Sequence, residues 1–385
     1  MSALLVVAGE ASGDRAAAAV IARLPGVASF GLGGPALEER GVELVGDLRA
    51  STAMGIGEAG ARAVNVMRAW RAVVRAARTR KPSAALLVNY SEFNARLAPR
   101  LHAAGVHVLW YGAPQVWAWR PDRKASLRRS IDCMAVMLPF EVALWRSAGV
   151  DAQYVGHPSL EIETLDRDAA RRTLGMTPYA AAVAILPGSR PHEVRRLMAP
   201  LLDGYERVRA DRASVDARVL IASSLDGATR AWIRGLCAAR RVGTFDVDPQ
   251  VGAMPVLRAF DASLCASGTV SLEATLARAV PVVVYRVGIT TELAARMLVT
   301  TPHVALPNVL LRRRAFTELL QRDVHPARIA QALSDALDRR PSLLAACDDV
   351  QAALGEKPTP SASVARMLAP WLGARADATR DAVTT

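Results

Sequence analysis

Short, unbroken apolar runs alternate with longer amphipathic stretches along this chain. Residues 3–8 are apolar without alternation, which predicts a strand buried on both faces. The turn Gly9-Glu10-Ala11-Ser12-Gly13 follows, and a helix is predicted over about 14–24. Similar runs over 84–88, 106–111, 133–138 and 150–155 complete a first series of strands. A second series opens near residue 181, with strands predicted over 182–186, 219–222, 262–266 and 282–285. Pro191 is placed to start the helix after the first of these. Such alternation is the pattern of parallel sheets joined by crossover helices. The expected fold class is therefore α/β, with one Rossmann-like domain over 1–160 and a second over 161–345. Residues 346–373 read as C-terminal helices packing back on the first domain. Residues 374–385 lack an apolar period and read as a disordered tail.

Composition narrows the class. With 51% hydrophobic and 22% charged residues, the 385-residue chain can bury two substantial cores, which excludes wholesale disorder. No apolar run approaches the ~18 residues of a membrane-spanning helix, and no basic segment precedes the first run, so no signal peptide is expected. Cys133, Cys237, Cys265 and Cys347 lie in apolar contexts without metal-binding spacing and read as buried, reduced thiols. The formal charge of +12 is local: between Arg62 and Arg129, 14 Lys+Arg face only Glu92 and Asp122. A basic surface of this kind suits an anionic partner. In the segment Arg62 to Lys81, Arg68, Arg71, Arg75 and Arg78 recur at helical spacing beside Val66, Met67, Trp70, Val73 and Val74. This helix either rests on an anionic bilayer with Trp70 at the headgroups, or packs its apolar face on a sheet. Nucleic acid is not expected, because no recognised binding module accompanies the basic residues.

Two turns carry the chemistry of the second half. Leu186-Pro187-Gly188-Ser189-Arg190 joins a predicted strand to a helix: glycine admits a close ligand, Ser189 can cap the helix, and Arg190 adds a fixed cation for phosphate. Ala266-Ser267-Gly268-Thr269 repeats the arrangement, with Glu273 one turn in and placed for a ribose diol. Two helix N-termini from neighbouring βα units converge on a diphosphate at the carboxyl edge of a sheet. No Walker lysine follows either turn and the dinucleotide glycine fingerprint is absent, so a nucleotide-sugar site fits best. In the first half, Gly9-Glu10-Ala11-Ser12-Gly13-Asp14 places two carboxylates and a hydroxyl around one turn. Trp110, Trp117 and Trp119 cluster beside Gln115 and Arg120 and are suited to a groove. His157 reads as a capping or hinge residue, and no metal cluster is expected.

Taken together, these motifs resemble the bacterial lipid-A-disaccharide synthases. The resemblance rests on Gly9 to Asp14, Gly33-Gly34-Pro35, Met54-Gly55-Ile56 and the run Pro114 to Arg120. It continues through Leu138-Pro139-Phe140-Glu141, Gly156-His157-Pro158, the Gly188 and Gly268 turns with Glu273, and Leu306-Pro307-Asn308. It implies an inverting GT-B glycosyltransferase, two Rossmann-like domains facing across a cleft, that needs no metal or other cofactor. Such an enzyme moves 2,3-diacylglucosamine from UDP to the 6-hydroxyl of 2,3-diacylglucosamine 1-phosphate, at the inner face of the cytoplasmic membrane. The resemblance assigns the UDP-sugar donor to the second domain, through Gly188, Ser189, Arg190, Ser267, Gly268, Thr269, Glu273 and Asn308. It assigns the acylated acceptor to the first, where Ser12, Gln115, Trp119 and Arg120 would line its groove. One position departs from the family pattern: Asn89 stands where the family has its candidate base Asp, in Asn89-Tyr90-Ser91-Glu92-Phe93-Asn94. An amide does not accept a proton at neutral pH, which passes the role to Glu92 or Glu10. The alternatives are a non-catalytic sugar-binding paralogue, or a transferase or epimerase of the same fold with another substrate.

Overall fold

The computed structural model describes residues 2–47, 59–117, 123–212, 214–286, 301–355 and 359–374. Met54-Gly55-Ile56, Trp119, Arg120 and the tail beyond residue 374 lie outside them. The chain divides into two compact units, Met1–Glu161 with Glu356–Thr385, and Ile162–Gly355.

The first unit is built on seven parallel strands: β1 (Ala3–Ala8), β2 (Ala28–Gly33), β3 (Glu43–Asp47), β4 (Ala84–Val88), β5 (His107–Tyr111), β6 (Cys133–Val136) and β7 (Ala152–Tyr154). Their order is β3-β2-β1-β4-β5-β6-β7, so the winding reverses between β1 and β4. Helices α1 (Ala11–Ile21), α2 (Pro35–Glu39), α3 (Ala59–Arg80), α4 (Ser91–Ala103), α5 (Arg123–Leu127) and α6 (Glu141–Arg146) fall between strands. Successive side chains of a strand point to opposite faces, and β1 shows the consequence. Leu4, Val6 and Ala8 pack with α1 residues Ala17 and Val20, while Leu5 and Val7 pack with Val73 of α3 and Leu97 of α4.

In the second unit, six parallel strands follow the same plan: β8 (Ala181–Leu186), β9 (Val215–Ile221), β10 (Gly243–Asp246), β11 (Ala262–Ala266), β12 (Val280–Tyr285) and β13 (Glu318–Leu320). The order β10-β9-β8-β11-β12-β13 reverses between β8 and β11. Helices α7 (Arg167–Thr173), α8 (Pro191–Asp211), α9 (Gly227–Ala239), α10 (Thr269–Leu276), α11 (Leu306–Leu311), α12 (Pro326–Asp338) and α13 (Arg340–Ala353) complete it. The last helix, α14 (Pro360–Leu372), belongs to the first unit, where Val364, Ala365, Leu368 and Leu372 join the β1 core.

Four strands go beyond the sequence reading. β2 reads Ala-Ser-Phe-Gly-Leu-Gly, and its glycines dilute the apolar signal; Gly31 is needed because a Cβ there would overlap the Val6 carbonyl. β3, β10 and β13 are short sheet-edge strands without a continuous apolar run. Helix α1 starts at Ala11 rather than near 14, with Glu10 at its N-cap, so Gly13 and Asp14 form its first turn.

Candidate functional site

The Gly188 and Gly268 turns become neighbours because β8 pairs directly with β11, through Leu186 and Cys265 at their carboxyl ends. Crevices at such reversals of strand order are where open α/β sheets bind ligands. A Cβ at Gly188 would stand 2.8 Å from Glu193 Oε2 and 3.7 Å from Ala266 Cβ, and φ there is +120°, so this turn closes only with glycine. Gly268, with φ +138°, is the N-cap of α10, and the space beside it is open. A cavity of about 320 Å³ lies between the turns, with Arg190, Glu193, Arg196, Ser267, Tyr285 and Arg286 in its wall. Burial pushes the Tyr285 hydroxyl above its ordinary range, with Glu193 adding to the shift and Arg190 opposing it.

Several donor-site expectations change. Ser189 does not cap the helix: Arg190 occupies the N-cap position and no side chain caps it, because Ser189 lies one residue too early. Arg190 is not a free cation either, since its Nη1 donates to Glu193 Oε1 at 2.9 Å. Ser267 Oγ donates to the Val304 carbonyl at 2.9 Å. Thr269 is half-buried at the start of α10, and Glu273 is buried at 5% exposure outside the cavity wall. Asn308 is wholly buried with its amide engaged at both ends. Its Oδ1 accepts from Ala315 N and Phe316 N, and its Nδ2 donates to the Phe316 carbonyl and to Glu318 Oε1. The Asn308 side-chain amide is therefore fully engaged within the protein and positions the loop. Glu318, which the sequence reading passed over, accepts from the amides of Val304 and Ala305 at the start of α11.

The β1/β4 reversal of the first unit gathers a second set. Asn89 and Tyr90 are both left-handed, with φ +49° and +43°, directly after β4. Non-glycine residues rarely adopt this conformation, and consecutive ones concentrate strain where a site is built. Three glycines make room for the pair. A Cβ at Gly9 would overlap the Tyr90 ring, one at Gly112 would overlap Asn89 Oδ1, and one at Gly13 would stand 3.4 Å from Asn89 Nδ2. Asn94, wholly buried, donates from Nδ2 to the Asn89 carbonyl at 2.9 Å and ties the turn to α4. Glu10 at the α1 N-cap and Glu92 in the first turn of α4 are both exposed, and they follow strands that pair at Ala8 and Val88. Glu92 thus stands on a helix, not at the end of the strand. Asp14 is structural: its carboxylate accepts from Gly34 N at 2.7 Å and Ala36 N at 2.9 Å, joining two of the sequence motifs.

Ser12 is half-buried in α1 and Gln115 is exposed beyond β5, both at this carboxyl edge. Trp110 is core rather than groove, wholly buried with Nε1 donating to the Gly112 carbonyl at 3.1 Å. Trp117 donates to Glu141 Oε1 at 3.0 Å and meets Phe140 edge-on. Burial raises the Glu141 carboxyl to about 7. His157 caps a short helical turn, its Nδ1 accepting from Ser159 N at 3.2 Å, and burial lowers it to about 4.

The lipid-A-disaccharide synthetase family model matches residues 4–362. The chain belongs to the lipid-A-disaccharide synthase family. Among its relatives, the lipid-A-disaccharide synthase of Anaeromyxobacter dehalogenans (strain 2CP-C) is 40% identical over 366 residues, covering 93% of this chain and 94% of that one. The Myxococcus xanthus synthase is 40% identical over 334 residues, covering 85% and 86%. In fold, the chain is similar to UDP-GlcNAc 2-epimerase from Neisseria meningitidis (TM-score 0.67, 11% identity, 96% and 100% covered). It is also similar to MurG from Acinetobacter baumannii (TM-score 0.57, 13% identity, 96% and 100% covered). Family membership makes the chain a glycosyltransferase on two Rossmann-like sheets.

In this family member the basic helix α3 buries most of its apolar face. Val66, Trp70, Val73, Val74 and Ala77 pack into the first unit's core. Trp70 meets Phe93 edge-on with the Arg100 guanidinium above it, so it does not sit at a headgroup level. Val64 and Met67 stay about half exposed beside exposed Arg68 and Arg71. Among the described residues, no helix is long and apolar enough to cross a membrane.

Proposed function

We propose that the protein transfers 2,3-diacylglucosamine from UDP to the 6-hydroxyl of 2,3-diacylglucosamine 1-phosphate, forming a β-1,6 bond and releasing UDP. The observation that carries this reading is the arginine-lined cavity between two glycine turns at the strand-order reversal of a unit whose family makes lipid A disaccharide. The second unit takes the donor. There the amides after Gly188 and Gly268 and the cavity's arginines would stabilise charge growing on departing UDP, the electrostatic part of the barrier. The first unit takes the acceptor at the β1/β4 reversal, near Ser12 and Gln115.

The attacking hydroxyl loses its proton as the new bond forms, and a positioned carboxylate contributes roughly 10²–10⁴ in rate. Asn89 lies at the centre of the turn but its amide cannot take that proton. Glu92, three residues on, and Glu10, after the neighbouring strand, are the candidate carboxylates, and Glu92 is the preferred base. The exposed arginines, Val64 and Met67 of α3 would hold the enzyme peripherally on an anionic membrane surface, on the cytoplasmic side where nucleotide sugars are available.

The deciding experiment measures UDP release from the diacylated donor with acceptor present. Glu92→Gln is expected to lower turnover at least a hundredfold with little change in UDP affinity, and Asn89→Asp to preserve or raise it. Full activity in both Glu92→Gln and Glu10→Gln would remove the base assignment. No transfer by wild type, restored by Asn89→Asp, would mark the chain as a binding paralogue.

A further inference from the structure

The three arginines in the cavity wall are not equivalent. Arg190 is already engaged, its Nη1 on Glu193 Oε1, the only carboxylate in the wall among the described residues. Arg196 and Arg286 are exposed and have no hydrogen-bond or ion-pair partner among the described residues. They reach the cavity from different elements. Arg196 lies three residues beyond Glu193 on α8, hence on the same helix face, whereas Arg286 directly follows β12, the strand beside β11. Two unpaired guanidinium groups sharing one cavity repel each other, and an anion between them removes that cost. Each guanidinium presents a planar fork of donors that matches one phosphate group, so two of them match a diphosphate. Tyr285 supplies a phenol donor in the same wall.

We propose that Arg196 and Arg286, rather than Arg190, are the principal grips on the diphosphate of the donor, with Arg190 occupied in holding Glu193 over the glycine turn. This rests on the reading that the second unit binds the UDP-sugar. It assigns the main anion contacts to residues outside the Gly-Ser-Arg motif, one from mid-helix and one from the end of a strand.

The test is calorimetric titration of the full-length protein with UDP, uridine and pyrophosphate at fixed salt, for wild type, Arg190→Gln, Arg196→Gln, Arg286→Gln and Arg286→Lys. Hydrogen bonds to charged groups are each worth enough to make the expected loss of UDP affinity roughly ten- to hundredfold in Arg196→Gln and in Arg286→Gln. Uridine affinity should change less than threefold, pyrophosphate should follow UDP, and Arg286→Lys should recover part of the loss. Both positions are exposed, so the thermal midpoint should stay within a few degrees of wild type. Wild-type UDP affinity in Arg196→Gln and Arg286→Gln would overturn the proposal, as would a larger loss in Arg190→Gln than in either. Wild type that binds neither UDP nor uridine would instead overturn the donor reading beneath it.

Discussion

Glu141 and His157 are buried in the first unit and shifted in opposite directions, one up to about 7 and the other down to about 4. Glu141 binds a proton more tightly in the folded state, so its contribution is complete below about 4.5 and is lost as pH rises through about 7. His157 behaves in reverse: its contribution is present above about 6.5 and is lost as pH falls through about 4. Each is worth up to about 3 kcal/mol across its window, and between about pH 4.5 and 6.5 the two slopes oppose. Glu141→Gln leaves the His157 slope uncompensated. The stability gap between wild type and this variant should therefore widen as pH falls from 7 to 5. All tryptophans except Trp232 lie in the first unit, so urea unfolding followed by tryptophan fluorescence reads the gap directly. A pH-independent gap would show that Glu141 is ionised throughout. Glu141 looked like one more motif residue in the sequence. Burial sets its acidity, and the Trp117 hydrogen bond that opposes the shift comes from a residue 24 positions away.

At the scale of elements, the turn after β4 is held open by Gly9 just after β1, Gly13 in α1 and Gly112 just after β5. Gly112 and Gly105 both have positive φ, but only Gly112 faces Asn89, whereas a Cβ at Gly105 would meet nothing within 4 Å. Gly105→Ala should cost about 1–2 kcal/mol, the left-handed penalty alone. Gly112→Ala should cost at least about 1 kcal/mol more and lower turnover by displacing Asn89. Equal losses in the two variants would mean that the Asn89 contact carries no energy. Helix α3 yields a second expectation. Binding to anionic liposomes should fall as salt rises, and Arg68→Glu, Arg71→Glu and Arg75→Glu together should abolish it while the fold survives. Equal retention of wild type and triple variant would leave α3 as packing alone. The helical period of α3 was legible in the sequence. The use of its apolar side was not, because only the position of Phe93 and the sheet decides whether Trp70 meets protein or lipid.

For the whole molecule, the chain closes its first unit with its last helix. Leu368 is wholly buried against the β1 core, although more than 300 residues separate it from Leu4. Leu368→Ala should therefore destabilise the first unit by about 2–5 kcal/mol, seen in the tryptophan signal, and leave UDP affinity at the second unit within twofold. A loss confined to the Trp232 signal would contradict that placement. The strands β1, β4, β8 and β11, the glycine turns after β1, β8 and β11 and the helix start at Pro191 could all be read from neighbouring residues, because periodicity and backbone freedom act within a few positions of the chain. The family motifs were legible for the same reason. Strand order, the cavity arginines left without a partner among the described residues, and the return of α14 depend on contacts between residues remote in sequence, and the closure of Asn308 on Phe316 and Glu318 depends on a loop that only the fold shapes. Only folding brings those groups within bonding distance, and burial then fixes which charges are neutralised and which stay available to a ligand.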